Sequence, residues 1–454
     1  IRDLARSRGL GDVYKRQSIV SLITASLKCI HNRIYPMPEP LEGITVIEMT
    51  IAIQGPAAAL YLRDMGAEVI KIEPPVGDGS RYIRGRQNEN PLDTMSPQFV
   101  AVNRGKRSVC LDIHTDLGSR AVLSLLKEAD VFLTNYRESA LKKMGLSYDL
   151  LKERFPKLIY ASVNGFGPKG PAANKAMLDG AACARGGLLY HTGSSTSGPV
   201  FPGAVITDTA GAMQLALGVM TALLSKERYG CGQRVQTSAL GASLWLQQWE
   251  LTQVSMTGAT LNRDGNHYPN IPGLYGVYET KDGGWITLAQ VMGQEAWDAL
   301  CIFMETWDLP IDKRFQTAGQ RFGEGLTEAD SIEIRNVLSN AFKDKTVQDW
   351  EDFLNSQPDI IWERVRSWED VLEDEQNFAN DYLAEIKAQG LGTIKTVGNL
   401  VSLSETPGSI KGSAPELGEG NSEILANAEL TADQISEIEA NTIEERNDRL
   451  SNLF

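Results

Sequence analysis

The chain has 454 residues, of which 42% are hydrophobic and 22% charged, and its formal net charge is −14 at pH 7. This length exceeds one compact core and predicts about two to three domains of ordinary globular composition. The negative charge argues against nucleic acid as a partner, because non-specific binding needs a cationic surface that releases counterions. No apolar run approaches the ~20 residues of a membrane span, so we expect no membrane partner.

Five cysteines are spread along the chain without a CxxC pair, and only four histidines occur. The cysteine pattern predicts neither a disulfide framework nor a zinc site, and it favours a reducing, cytoplasmic location. The small number of histidines removes most schemes of His-based catalysis and metal binding, so we predict that no metal is bound.

Residues 1–36 have no starting Met, are basic and lack apolar periodicity. They include the string DVYKRQ, which resembles a translated sequencing-library adapter. The apolar stretch SIVSLITASL is not followed by the small-residue cleavage site of a signal peptide. We expect residues 1–36 to be a non-native or disordered extension, with the natural start at Met37.

Strands and helices alternate from Met37 to the middle of the chain. β-Branched alternation predicts the strands, and apolar spacing of three and four residues predicts the helices. Such alternation is typical of an open, mostly parallel, Rossmann-like α/β sheet, in which ligands bind at the carboxyl ends of the strands. The predicted strands are 43–49, 68–73, 108–112, 131–135, 158–163 and 234–238, and the predicted helices are 57–65, 116–128, 146–155, 208–226 and 245–254.

The pattern changes after a Gly-, Asn- and Pro-rich stretch at 262–276, which we interpret as a linker. A predicted hairpin at 277–288 follows, and then helices rich in Trp and acidic residues. We predict a large α/β domain at 37–275, a smaller α+β domain at 276–385, and a return to the large domain with a C-terminal helix at 386–454.

The segment 160–187, YASVNGFGPKGPAANKAMLDGAACARGG, joins a strand to a small-residue helical run and carries one carboxylate, Asp179. One interpretation is that Asp179 caps the helix at 180–184 by accepting backbone N–H groups. The other is that these N–H groups stabilise an ionised carboxylate that attacks a thioester, and the oxyanion formed by that attack. The residues alone leave both interpretations open.

Two other features of this segment are weaker signals. The run GFGPKG formally matches the GxGxxG dinucleotide fingerprint, but prolines at 168 and 171 interrupt the helix that should begin there. Cys183 has no histidine partner within sequence reach, and a free cysteine is usually a small buried hydrophobe.

Two cationic turns border predicted strands: NRGKR at 103–107, and NYR at 135–137 with Lys142 and Lys143 close behind. Each is either a solvated surface turn or a local site for an anionic ligand such as a phosphate. Two basic turns at one sheet edge of a strongly acidic protein favour the phosphate.

An ordered series of motifs from about residue 40 to residue 425 resembles the class III CoA-transferases of the CaiB/BaiF type, formyl-CoA transferase-like. The motifs are PLEGITVIEMT, IQGPAAALYLRDMGAEVIKIEPPVGD, NRGKRSVCLD, ADVFLTNYRESALKKMGLSYDLLKERFPKLIYASVNGFGPKGP, GCGQRVQTSAL and TPGSIKGSAPELGEGNSEIL. The resemblance implies a CoA-binding large domain built from both chain ends, a small middle domain and an interlocked homodimer. It also implies acyl-CoA and a free carboxylic acid as substrates, with no tightly bound cofactor.

The activity implied by the resemblance is transfer of CoA between acids (EC 2.8.3.-), with Asp179 as the nucleophile. Asp179 would attack the donor acyl-CoA to form an aspartyl anhydride. The CoA thiolate would return to form an aspartyl-CoA thioester, which the acceptor carboxylate then attacks. The residues that align with the family's CoA contacts are Ile53, Gln54, Asn103, Lys106, Asn135, Tyr136, Lys143, Met144 and Asn164.

The chain departs from the family pattern in three places: it has NYRES where NFRPG is frequent, Cys183 where Gln is common, and GEGNS where a GxH[ST] run is common. The α-methylacyl-CoA racemases share the fold and add a histidine base, at positions that hold Lys152 and Leu178 here. Because racemisation needs two bases, the missing histidine favours a transferase. A racemase-like enzyme and a non-catalytic acyl-CoA-binding homologue remain the alternatives, and the sequence does not identify the donor and acceptor acids.

Overall fold

This computed structural model describes residues 37–83, 95–388 and 390–451 of the chain. The expectations for residues 1–36 lie outside the described residues. Within the described ranges, no helix is long and apolar enough to cross a membrane.

The central sheet consists of six parallel strands. They are β1 (Thr45–Met49), β2 (Glu68–Glu73), β3 (Arg107–Cys110), β4 (Val131–Thr134), β5 (Ile159–Asn164) and β8 (Arg234–Ser238). Their order is β3-β2-β1-β4-β5-β8, so the direction in which the chain adds strands reverses between β1 and β4. The predicted α/β class with a mostly parallel sheet is confirmed.

Helices follow most of these strands, and each begins close to its predicted position where one was predicted. The helices that were missed include three short ones, Pro97–Asn103, Glu138–Lys143 and Leu188–His191, none of which is long enough to show helical periodicity. The helices of this part are α1 (Gln54–Asp64), α2 (Pro97–Asn103), α3 (Asp116–Lys127), α4 (Glu138–Lys143), α5 (Tyr148–Arg154), α6 (Asp179–Arg185), α7 (Leu188–His191), α8 (Ile206–Tyr229), α9 (Ala239–Leu246) and α10 (Gln248–Thr257). A small strand pair, β6 (Gly193–Ser194) and β7 (Gly198–Pro199), lies between α7 and α8.

The two faces of the central sheet are covered by different helices. Side chains alternate across a strand, so Val46 of β1 lies in a core with α1 and α8, whereas Ile47 lies in a core with α3. The second core also contains Ile424 and Ile435 from the C-terminal helices α17 (Asn421–Asn427) and α18 (Ala432–Ser451). The last part of the described chain therefore packs on the sheet that the first part builds.

The residues that come between these two parts in the sequence form a separate core. It surrounds a three-stranded antiparallel sheet in the order β11-β10-β9. Trp297 and Trp350 are fully buried in it. The predicted hairpin at 277–288 is confirmed by the pairing of its first two strands. The strands are β9 (Gly276–Glu279), β10 (Trp285–Val291) and β11 (Ile360–Arg364), and the helices of this part are α11 (Gln294–Phe303), α12 (Ala318–Phe322), α13 (Glu328–Lys343), α14 (Val347–Asn355), α15 (Trp368–Glu373) and α16 (Glu375–Ala379).

A further antiparallel pair, β12 (Leu383–Ala388) and β13 (Gly392–Val397), leads back toward the C-terminal helices. The predicted domain boundary at 385 falls inside β12, and the strand pairing crosses it. The division of the chain into domains stays a prediction.

Candidate active site

A cavity of about 620 Å³ opens at the carboxyl ends of the central strands, where the strand order reverses. This switch point is where open α/β sheets bind their ligands. Its wall consists of the segments 51–54, 135–138, 162–165 and 173–178, together with Asp208 from the start of α8.

The turn after β1 is fixed by hydrogen bonds from two other segments. The Asn135 amide donates to the Ile51 carbonyl at 2.8 Å and accepts from the Ile51 N–H at 3.0 Å. The Ala52 N–H donates to Asp78 Oδ1 at 3.2 Å. Ala52 has a φ of 66°, in the left-handed region that costs a residue with a Cβ about 1–2 kcal/mol. These bonds therefore hold a strained turn beside the cavity.

Gln54 begins α1 directly after this turn, is 5% exposed and lines the cavity. At this point α1 and α8 approach so closely that a Cβ on Gly211 would lie 2.0 Å from Gln54 Nε2. No described residue accepts a hydrogen bond from Nε2. A buried donor without a partner is unfavourable by about 1–3 kcal/mol, so this amide is suited to bonding a ligand.

Beneath the turn lies a cluster of fully buried charges, Glu48, Lys71, Asp78 and Lys106, which we call the buried charge cluster. Lys71 Nζ lies 3.1 Å from Glu48 Oε1 and 3.0 Å from Asp78 Oδ2, and Lys106 Nζ lies 2.7 Å from Glu48 Oε2. Burial opposes the charge of Lys71, but the carboxylates of Glu48 and Asp78 raise its pKa above the usual value. Burial lowers the pKa of Lys106 to about 8. Because the cluster balances its own charges, it can hold Asp78 rigidly under Ala52.

The cationic turn NRGKR contributes to this interior rather than to the surface. Arg104 donates from two nitrogens to Asp64 at 2.8 Å, and Lys106 donates to Asn103 Oδ1 at 2.9 Å. Arg104, Lys106 and Asn103 are all buried. These side chains are paired inside the protein, so the alternative of a solvated surface turn is wrong for them, and binding of a phosphate by this turn stays a prediction.

Asp179 is the first residue of α6, and its carboxylate makes no capping bond to that helix. Instead, Oδ1 accepts three hydrogen bonds from the first turn of α8: from the Thr207 N–H at 2.8 Å, the Thr207 hydroxyl at 2.6 Å and the Asp208 N–H at 3.1 Å. The interpretation of Asp179 as the cap of its own helix is therefore wrong. Asp179 caps the 24-residue α8, whose own N-cap residue, Val205, makes no side-chain cap bond. The N–H groups and dipole of α8 favour the ionised carboxylate.

The two oxygens of the Asp179 carboxylate have different surroundings. The Cys183 thiol, one turn later in α6, donates to Oδ2 at 3.6 Å, and no other described residue donates to this oxygen. Burial raises the pKa of the Cys183 thiol and the charge of Asp179 raises it further, so the thiol stays protonated. A thiol is a weak donor. Oδ2 is therefore the less stabilised oxygen of the pair.

A second carboxyl group, Asp208, lies in the first turn of α8, the turn that donates to Asp179, and it lines the cavity. Burial, and then the negative charge of Asp179, raise the pKa of Asp208 from 3.8 to about 6. Leu178, which precedes Asp179, also lines the cavity. The Asp179 carboxylate is not itself part of the cavity wall; Asp179 follows Leu178 in the chain and accepts from the N–H of Asp208, and both of these residues line the cavity.

Five of the predicted CoA contacts line the cavity together: Ile53, Gln54, Asn135, Tyr136 and Asn164. The other four do not. Asn103 and Lys106 lie in the interior, Lys143 is exposed at the end of α4, and Met144 after it is half-buried. Contact with CoA stays a prediction for all of them.

Sequence reasoning missed several charged residues of the cavity wall. Lys169 and Lys175 line it from the loop after β5, and Arg234 of β8 lines it while paired with Glu138 at 2.7 Å. Asp208 was also missed, because it lies 29 residues after Asp179 and nothing in its local sequence points to that partner.

Neither position at which a racemase has its histidine contributes a base here. Lys152 is exposed on α5, with its Nζ 5.5 Å from the centre of the Tyr148 ring, and Leu178 is 80% exposed. None of the residues described in the cavity wall is a histidine.

The fold and the cavity together define an α/β protein of the doubly wound type that presents a carboxylate at its switch point. Residues 41–421 match CoA-transferase family III, and the chain belongs to this family. The predicted family and the predicted activity, transfer of CoA, are confirmed.

Named relatives and a solved structure agree with this assignment. The chain is 33% identical over 346 residues to an (R)-2-hydroxy-4-methylpentanoate CoA-transferase of Clostridioides difficile, which covers 76% of this chain and 84% of that protein. It is 30% identical over 410 residues to a cinnamoyl-CoA:phenyllactate CoA-transferase of Clostridium sporogenes, covering 87% and 95%. The crystal structure of a CaiB/BaiF family protein from Brucella suis superposes with a TM-score of 0.74 at 27% identity, over 86% of this chain and 100% of that one.

Proposed function

We propose that this CoA-transferase moves CoA from an acyl-CoA donor to a free carboxylic acid through covalent intermediates on Asp179. The observation that carries the proposal is the asymmetry of its carboxylate. Oδ1 is bound by three donors of α8, whereas the one described donor to Oδ2 is a thiol at 3.6 Å. One oxygen thus fixes the group, and the other keeps the electron density that a nucleophile needs.

In the proposed reaction, Oδ2 attacks the thioester carbonyl carbon of the donor. The C–S bond breaks and CoA leaves as a thiolate, which gives an anhydride between Asp179 and the acyl group. The thiolate then attacks the aspartyl carbonyl carbon, which releases the donor acid and leaves an aspartyl-CoA thioester. The acceptor carboxylate repeats the same steps in reverse order. No proton is gained or lost overall, because a carboxylate and a thioester are exchanged for a carboxylate and a thioester.

We further propose that CoA lies in the 620 Å³ cavity. The unpartnered Nε2 of Gln54 supports contact of this residue with the thioester end, because a ligand acceptor would satisfy it. Arg137, Lys169 and Lys175, exposed cations of the cavity wall, are suited to the phosphates. Acyl-CoA is in this view a substrate rather than a resident cofactor.

The acid pair stays open, and the names of the relatives indicate which acids to test. Two relatives are named for 2-hydroxy acids, (R)-2-hydroxy-4-methylpentanoate and phenyllactate. Others are named for the dicarboxylates mesaconate and glutarate. A panel of these free acids with succinyl-CoA and cinnamoyl-CoA as donors, analysed by mass spectrometry, would assign the class.

The nucleophile is tested by trapping. With hydroxylamine and acyl-CoA, the wild type should form a hydroxamate at Asp179, identified by peptide mass. Asp179→Asn should keep the cap on α8 through its amide oxygen, while the rate of transfer falls by at least about 10⁴-fold. Asp149→Asn, on an exposed position of α5 outside the cavity wall, is the matched control. Exchange of the α-proton without transfer, or full turnover without an adduct at Asp179, would overturn the proposal.

We also propose an interlocked homodimer in the cytoplasm. Apolar side chains are exposed along α8, α9 and α10, among them Met213, Leu217, Trp245 and Met256. Exposed apolar side chains on three successive helices are suited to a protein–protein interface. Light scattering should give about twice the 49.7 kDa of the chain; a stable monomer would contradict the dimer. The free cysteines Cys183, Cys231 and Cys301 support a reducing compartment, which fractionation of the source cells would test.

A further inference from the structure

Two carboxyl groups lie near the first turn of α8: Asp208 belongs to that turn, and Asp179 of α6 is hydrogen-bonded to it. Their surroundings differ. Asp179 caps the N-terminus of α8, since the N–H groups of Thr207 and Asp208 both donate to its Oδ1. The side chain of Asp208 receives no hydrogen bond from any described residue. It lines the cavity and is half-buried. The N–H groups that would stabilise a second charge at this helix end are therefore already in use.

Among the described residues, no cation forms an ion pair with Asp208 either. The elements packed against α8 include α6, α1, α9, β5 and β8. On α6 the ionisable groups are Asp179, Cys183 and Arg185, and α1 carries Tyr61, Arg63 and Asp64 near its other end. β5 and β8 carry Tyr160 and Arg234, and α9 carries none. Beyond burial, only the charge of Asp179 moves the pKa of Asp208, and it raises it.

A pair of nearby carboxyl groups without a cation does not ionise twice with ease, so one of them tends to keep a proton. Here three donors bind Asp179 and no described residue donates to Asp208, so Asp208 is the group suited to keep the proton. We propose that Asp208 acts in its neutral form as the hydrogen-bond donor to the oxyanion that forms when Asp179 attacks the thioester. This inference rests on the proposed role of Asp179.

The proposed step needs no net proton transfer. As the bond from Oδ2 to the carbonyl carbon forms, the carbonyl π electrons move to the carbonyl oxygen, and the Asp208 O–H donates to it. When the C–S bond breaks, the electron pair leaves with sulfur and the carbonyl reforms. The proton stays on Asp208, so the CoA thiolate remains a nucleophile for the next step. A neutral carboxylic acid in an apolar site is a strong donor to an oxyanion.

The proposal predicts a pH dependence with a definite sign. The neutral form of Asp208 is the active one, so kcat/KM should fall as the pH rises above about 6. The fall should approach tenfold per pH unit, as for a single ionisation. Bound acyl-CoA excludes water and adds negative charge, both of which favour the neutral acid. The corresponding fall in kcat should therefore appear at higher pH than the fall in kcat/KM.

Two substitutions separate donation from packing. Asp208→Asn keeps the shape and an N–H donor but does not titrate, so its profile should lose the fall above pH 6 while activity at pH 6 drops by less than about tenfold. Asp208→Ala has no donor and should lower kcat by about 100-fold with little change in KM, as for removal of an oxyanion donor. Both variants keep the backbone N–H that donates to Asp179.

The outcomes distinguish this inference from the proposed function. If the wild type forms no hydroxamate at Asp179, the proposed function fails and this inference fails with it. If the adduct forms but Asp208→Asn keeps the wild-type profile, or Asp208→Ala stays within threefold of wild type, only the role of Asp208 is overturned. If a variant does not fold, the single-turnover rate of Asp179 acylation in the wild type decides: a rate that does not fall between pH 6 and 9 overturns the role.

Discussion

Two regions of the molecule each contain a pair of carboxyl groups, and the surroundings of the two pairs are opposite. In the buried charge cluster, Glu48 and Asp78 are fully buried but are matched by Lys71 and Lys106. Asp179 and Asp208, which meet at the start of α8, form no ion pair with a cation in the part of the chain that the structure describes; backbone N–H groups bind the first, and burial raises the pKa of the second.

The difference separates scaffold from reactive site. Ion pairs with matched charges and short distances hold a turn in place, here the strained turn at Ala52. A carboxylate matched in the same way by a lysine would be a poor nucleophile, because the cation would stabilise its charge before attack. The same fold therefore contains one pair that is stabilised by matched charges and another that, in the proposed function, supplies the reactive group.

The largest effect is expected from breaking the matched pair. Lys71→Met leaves Glu48 and Asp78 buried with less compensation and should lower the free energy of unfolding by about 3–5 kcal/mol. The measurement is the denaturant midpoint, followed by fluorescence. The double variant Lys71→Met with Glu48→Gln should recover part of the loss, because it removes a charge together with its partner. Equal loss in the single and double variants would show that the cluster does not act through charge matching.

The next largest effect is expected at the contact between α1 and α8, where Gly211 lies against Gln54. Gly211→Ala should push Gln54 aside, because the new Cβ would lie 2.0 Å from Nε2. Overpacking of this kind costs about 1–3 kcal/mol of stability, and displacement of Gln54 should raise KM for acyl-CoA.

Gly218→Ala is the matched control for this change. It lies two turns further along α8, and its Cβ would meet Val235 Cγ1 at 2.6 Å, away from the cavity wall. It should lower stability without changing KM. A raised KM in Gly218→Ala as well would remove Gln54 from the explanation.

The parallel sheet, and a ligand site at the carboxyl ends of its strands, followed from the alternation of strands and helices, which is typical of open α/β sheets. The order of the strands was not predicted. The sequence did not reveal which charges would be matched. The cations of NRGKR were interpreted as exposed, yet Arg104 and Lys106 lie inside because their partners, Asp64 and Glu48, come from distant segments. The pairing of Asp179 with the start of α8 was missed for the same reason, since local propensity describes caps within one helix.

At the unmatched pair, removal of a charge is expected to raise stability, whereas removal of the Lys71 charge is expected to lower it. The raised pKa of Asp208 means that the folded state binds its proton more tightly than the unfolded state, so stability is lost as the pH rises from 3.8 to about 6. Asp208→Asn removes the charge and should stabilise the protein by about 1–2 kcal/mol at pH 7.5, after allowance for solvent screening. Thermal unfolding at pH 7.5 and at pH 3.5 tests this. A gain of equal size at both pH values would indicate packing rather than charge.

The smallest effect should come from the thiol that faces Oδ2 of Asp179. Cys183→Ser replaces a weak donor at 3.6 Å with a hydroxyl, which is a stronger donor and would stabilise the attacking oxygen in the ground state. We expect the rate of Asp179 acylation to fall a few-fold, with KM unchanged, because the electron density on Oδ2 is reduced before attack. Cys183→Ala, which removes the donor, should not slow this step. If the serine and alanine variants slow acylation equally, the effect comes from packing in α6. The weakness of the thiol as a donor would then not explain the reactivity of Oδ2.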